Sequence, residues 1–213
     1  WGHVFHFFLS KSNIQSIVIS LLDFVPIDNF ASSNALTYFA APSVTLQDVS
    51  IRDLSIATVD YPLALYVDTL LMESVQIYNL VARKRTVSVL SWDPNQVGSL
   101  NLTQVSFANN NATKGLFGIA YDNATVSITD WTLSNNTGPE CILCVSLYAG
   151  DLTISHSSIL DNTIVDNANS SSALSTYVAY GHVHMDHITS HYNNPGTMYA
   201  AISAACYQTA TCL

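Results

Sequence analysis

Charge is scarce in this chain of 213 residues: Asp, Glu, Lys and Arg together make up 10%, where a soluble domain ordinarily carries about a quarter. Basic charge is scarcest, with six Lys and Arg against fifteen Asp and Glu and a net charge of −9. A nucleic-acid partner requires clustered basic charge. The one basic cluster, Arg83-Lys84-Arg85, is too small a footprint for that, so none is expected. Long apolar runs are also missing. The stretch from Ile14 to Pro26 is interrupted by Gln15, Ser16 and Asp23 and falls short of the roughly 20 residues that a membrane-spanning helix needs. The opening WGHVFHFFLS has no basic segment and no small-residue cleavage site, and it begins with Trp1. The chain therefore reads as a processed or partial product.

What is present argues against disorder, because 49% of the residues are hydrophobic. The length allows one substantial core or at most two small ones. Ser, Thr and Asn carry the polar load. A surface of hydroxyls and amides suits a secreted or cell-surface protein better than a cytosolic enzyme.

A repeat runs through the chain. SVTLQDVSIRDL (43–54) aligns with TLLMESVQIYNL (69–80), SLNLTQVSFANN (99–110), TVSITDWTLSNN (125–136), DLTISHSSILDN (151–162) and HVHMDHITSHYN (182–193). NIQSIVISLLDF (13–24) is a fainter copy. The second residues of the copies fall at 14, 44, 70, 100, 126, 152 and 183, giving steps of 30, 26, 30, 26, 26 and 31. Counted from that residue, offsets 0, 2, 5 and 7 are apolar in 25 of 28 cases, the exceptions being Ser16, Ser157 and Ser190. Offsets 1, 3 and 6 are polar in 19 of 21. Two short alternating pieces joined by a corner fit this template, each with one face inward; a helix would repeat at three and four.

Between the copies lies a further strand-like series: ALTYFA (35–40), LALYVD (63–68), TVSVLSW (86–92), LFGIAYD (116–122), ILCVSLY (142–148), TYVAYG (176–181) and MYAAISA (198–204). About three strands per coil at this period indicate a parallel β-helix of about seven coils. A sandwich would show regular strand spacing too, but it has no reason to repeat residue types at fixed offsets. A solenoid does, because equivalent positions stack roughly 4.8 Å apart.

Offset 9 holds Asp23, Asp53, Asn79, Asn109, Asn135, Asp161 and Tyr192, and Asn and Asp tolerate left-handed backbone angles. Offset 10 holds Phe24, Leu54 and Leu80, then Asn110, Asn136, Asn162 and Asn193. The apolar equivalents place these four Asn inward, where stacked amides form a hydrogen-bonded ladder.

With period, inward columns and Asn ladder together, residues 14 to about 205 resemble the parallel β-helix superfamily that includes pectin lyases and many microbial surface proteins. The resemblance implies a right-handed coil. The chain itself is expected to divide into residues 1–13, whose aromatics suit a cap or extra coil, 14–205 as the β-helix, and 206–213 as a Cys-containing tail leading into further sequence. Pectin-degrading members use carboxylate-bound calcium with a basic residue, or clustered Asp with a His. Here Asp122, Asp130 and Asp151 fall in different columns and no paired carboxylates mark an outward strand. The expectation is a non-catalytic protein without a cofactor.

Three groups of residues remain as site candidates. Offset 4 stacks Asp130, His156 and His187, a weak candidate for a transition metal. Asn101, Asn111, Asn123, Asn135 and Asn169 each begin an Asn-x-Ser/Thr sequon at a position expected to face outward or lie in a turn, which predicts covalent N-linked glycans. Cys141, Cys144, Cys206 and Cys212 allow three disulfide connectivities. The local pairs are favoured, although two Cys on one extended strand stand too far apart to bond. Together these readings predict an extracellular structural or adhesive glycoprotein whose partners are copies of itself, other surface proteins or glycans. The alternative is a carbohydrate-active enzyme or carbohydrate-binding module of the pectin-lyase type.

Overall fold

The computed structural model describes residues 5–8, 17–20, 23–24, 35–53, 55–56, 60–139, 141–165, 172–191, 193, 202–206 and 211–212. For the residues before 38, and for 55, 56 and 206, the description is of the backbone alone. The chain is an all-β, parallel-stranded solenoid of roughly six to seven turns.

One turn shows how the repeat becomes a coil. Tyr61–Tyr66 and Thr69–Glu73 lie in a wide sheet, Gln76–Tyr78 in a middle sheet and Val81–Ala82 in a narrow one. The chain then returns as Val87–Leu90, parallel to its start, with Val87 opposite Leu63. In the three later coils the first two segments run on as the 15-residue strands Gly115–Thr129, Cys141–Ser155 and Ser172–Asp186. The two-residue strands of the narrow sheet are a fourth segment per coil, where the sequence pattern indicates three. They are too short for any periodicity to show.

The register follows the repeat. Val44, Leu70, Leu100, Val126, Leu152 and Val183 pair in succession and are all buried. The first copy is the exception. Ile17, not Ile14, stands opposite Val44, and Phe24 stands opposite Ile51. The shift sets Ile17 and Ile19 opposite Val44 and Leu46, and Phe24 opposite Ile51, apolar residue against apolar residue, so the apolar template itself explains the correction. The other two polar exceptions are satisfied where they stand. Ser157 Oγ donates to the Ser155 carbonyl at 2.9 Å, and Ser190 Oγ accepts from Asn193 Nδ2 at 3.0 Å.

Corners are made by left-handed residues in two columns. Asp48, Ser74, Gln104, Asp130, His156 and His187 form one, and Asp53, Asn79, Asn109, Asn135 and Asp161 the other, all with φ between 50° and 57°. Such angles cost a side chain energy, but the ladder continues through the bend. Ser74 N, Gln104 N and His156 N donate to the carbonyls of Thr103, Thr129 and Asp186. Within the long strands, a third bend uses Gly150 and Gly181 at φ 119° and 133°. A Cβ on Gly150 would overlap the Ala124 carbonyl of the coil below.

The interior is mostly aliphatic, with an aromatic cluster of Phe107, Phe117 and Trp131 whose ring centroids lie 5.0 to 5.6 Å apart. Trp131 is 1% exposed. Trp131→Ala should destabilise by about 3–5 kcal/mol in chemical denaturation. Trp131→Phe should cost much less, because the buried indole N–H has no hydrogen-bond partner to lose.

Candidate functional site

The inward amides form a satisfied network. Asn110 Nδ2 donates to Asn136 Oδ1 at 3.1 Å, Asn136 Nδ2 to Asn162 Oδ1 at 3.0 Å, and Asn162 Nδ2 to Asn193 Oδ1 at 2.9 Å. The second hydrogen of each of these amides goes to the carbonyl of Ile77, Phe107 or Leu133. Each oxygen also accepts a backbone N–H from the coil before it, from Leu80 N to Asn162 N. The side-chain series stops at Leu80, which has no amide. This column is structural, holding the corner between the middle and narrow sheets, and its burial keeps it from solvent chemistry.

On the outside, four sequon asparagines are exposed: Asn101, Asn111, Asn123 and Asn135. They lie on different sides of the coil. Asn101 is on the wide sheet, Asn123 just before its glycine bend, Asn111 on the narrow sheet and Asn135 at a left-handed corner. Thr103 Oγ1 donates to Asn101 Oδ1 at 3.2 Å, so hydroxyl and amide of that sequon share one outward face. Asn169 lies outside the described residues.

His156 and His187 stack with ring centroids 5.0 Å apart and planes 4° from parallel, both exposed at the left-handed corner that Asp130 also occupies. His187 Nδ1 lies 2.7 Å from Asp186 Oδ2. The hydrogen bond from His187 holds the Asp186 carboxyl below its ordinary range against partial desolvation, and charges on His187, His156 and His184 add to the effect. Among the described residues, no group of three or more His, Cys, Asp or Glu is arranged to hold a metal ion.

One buried carboxylate escaped the sequence reading. Asp60, with its side chain 3% exposed, pairs through Oδ1 with Arg83 Nε and through Oδ2 with Lys84 Nζ at 2.7 Å. Its carbonyl accepts from Lys84 N and Arg85 N. The basic triplet is thus an internal clamp. Its only sequence trace is a lone Asp about one coil before three basic residues. Arg83, by hydrogen bonding, holds the Asp60 carboxyl below its usual range against burial, with Lys84 helping. A carboxyl so neutralised does not serve as a proton donor near neutral pH. Asp122 and Asp151 are exposed and stand on opposite sides of the glycine bend, not face to face.

Cys141 and Cys144 are disulfide-bonded with Cα atoms 5.7 Å apart. Both belong to Cys141–Ser155, where a fully extended path would separate them by about 10 Å. The strand bends at its start. Cys141, Ile142 and Leu143 are buried in succession, which breaks the alternation. The Gly115 below makes room, since a Cβ there would lie 2.9 Å from both Cys144 Sγ and the Cys141 carbonyl. Cys212 is also disulfide-bonded; the Cys206 side chain lies outside the described residues.

The tyrosines divide by role. Tyr121 is buried, and its hydroxyl donates to the Val67 carbonyl at 2.6 Å. Tyr61 lies under Lys84 Nζ, and Tyr66 packs against Tyr38. Tyr148 and Tyr177 are exposed.

Comparison of the chain with protein-family models, with curated proteins and with solved structures finds no match in any of the three. The parallel solenoid is consistent with the pectin-lyase-like architecture.

Because the folded Asp60 carboxyl is depressed, its contribution to stability is complete above the unfolded carboxyl's range. It is lost as pH falls through the folded value. Asp60→Asn should therefore be less stable than the wild type at neutral pH. The gap should close on acidification below the ordinary carboxylate range, followed as denaturation midpoint against pH.

Proposed function

We propose that this chain is an extracellular structural or adhesive glycoprotein, non-catalytic, that works as a subunit of a surface assembly. The observation that carries the reading is the placement of its sequons. Four asparagines drawn from different offsets of the repeat all project from the solenoid, where a bulky sugar meets no packed neighbour. Two further features support it. The outer surface has little charge, and the polar capacity of the interior is spent on the amide ladder and the Asp60 clamp rather than on an open reactive centre.

Sugars on several sides of the coil would keep lateral faces apart and favour partners met along other directions. Copies of the same chain or other surface proteins are the partners this reading names. The enzyme alternative requires an outward groove in which acidic groups converge on a sugar, and Asp122, Asp130 and Asp151 do not converge.

Intact-mass and glycopeptide measurement on protein from its native source, before and after glycosidase, should find sugar on several of Asn101, Asn111, Asn123, Asn135 and Asn169. A homogeneous unmodified mass would overturn the glycoprotein reading. Cleavage of an acidic polysaccharide by the purified chain would establish the enzyme reading in its place.

A further inference from the structure

Three tyrosines gather on the outer face of the wide sheet where it approaches the glycine bend. Tyr148 is 59% exposed and Tyr177 40% exposed; Tyr180 is partly exposed beside them. Tyr177 stands opposite Ser146 and Tyr180 opposite Ala149, so Tyr148 projects between their two columns from the neighbouring coil. Its ring meets that of Tyr180 edge to face, with centroids 5.2 Å apart and planes at 67°. No interior contact explains this pair, and no charged group is needed to hold it.

The geometry points to Tyr148 and Tyr180 as an oxidative cross-linking site that joins two successive coils through a carbon–carbon bond between the rings. The oxidant is of the peroxidase class, with hydrogen peroxide as electron acceptor. Each phenol gives up one electron and its hydroxyl proton to become a phenoxyl radical. The two radicals couple at the ring carbons ortho to the oxygen-bearing carbon. The hydrogen on each coupled carbon then leaves as a proton and the oxygen regains one, restoring both aromatic rings. The product has lost two hydrogen atoms in all, and the peroxide is reduced to two waters.

Two observations favour this pair over the other described tyrosines. Exposure lets an oxidant reach Tyr148, whereas Tyr121 is buried. Proximity in the folded state makes coupling within one chain faster than coupling between chains at low protein concentration. The rival pair Tyr38–Tyr66 is as close, at 5.1 Å, but both of its rings are partly buried, whereas Tyr148 is exposed. The bond would tie positions 148 and 180 covalently, acting as a disulfide does by restricting the unfolded chain. The inference stands on ring geometry and does not depend on glycosylation or on assembly.

The test treats the purified full chain, at low concentration, with hydrogen peroxide and a haem peroxidase. Dityrosine fluorescence and tandem mass spectrometry of the digest are the readouts. The expected product migrates as a monomer on a denaturing gel, lacks two hydrogens and links the peptides carrying Tyr148 and Tyr180. Tyr148→Phe and Tyr180→Phe should each lower the yield about tenfold, since the proximity advantage is lost, while Tyr177→Phe stays within about twofold. The proposal is overturned by wild-type yield in Tyr148→Phe, by a link mapped to Tyr177 or to Tyr38–Tyr66, or by chain-to-chain dimers as the main product. Failure of the chain to couple under conditions that couple free tyrosine overturns it equally.

Discussion

The parallel backbone ladder from coil to coil is the constraint on which the rest depends. It places residues of equal offset directly above one another at strand spacing, so a position inward in one coil is inward in all. Each coil must then satisfy the same interior with its own side chains. This is why Val44, Leu70, Leu100, Val126, Leu152 and Val183 interchange freely among aliphatic types while their burial does not vary. The interior accommodates bulk where neighbours share it, as Phe107, Phe117 and Trp131 do across two successive coils.

Closing a coil requires corners, and corners are where the ladder meets polar chemistry. Left-handed residues turn the chain without interrupting its hydrogen bonds. One column beyond the second corner, the chain alternates between two ways of filling the same interior position. Leu80 fills it with hydrocarbon, and Asn110, Asn136, Asn162 and Asn193 fill it with amides. The second solution holds only because the amides are stacked, so that their hydrogens and oxygens find partners in the coils before and after. A lone buried amide at the same place would leave groups unpaired at a cost of about 1–3 kcal/mol each.

Once the interior and the corners are fixed, the outer surface is left to vary. The exposed sequons, the His156–His187 stack and the Tyr148–Tyr180 pair all lie there, at positions where the coil makes no demand on residue type. Two outward-looking features belong to the fold after all. The basic triplet turns back on buried Asp60, and Gly115 is small because a disulfide lies across it.

The sequence by itself determined the coil period, the inward columns, the amide column and the exposure of Asn101, Asn111, Asn123 and Asn135. Each follows from an environment shared by every coil, and repetition makes such an environment visible. Only the tertiary structure decided the rest. It moved the first copy by three residues to set Ile17 against Val44, and it added a two-residue strand to five of the described coils. It bent one strand so that Cys141 reaches Cys144, joined Asp60 to Arg83 and Lys84, and brought Tyr148 to Tyr180. Apart from the short strands, these features occur once, between residues that the repeat does not relate. They depend on how far a particular bend carries a particular side chain, and a repeat read along the chain holds no record of that distance.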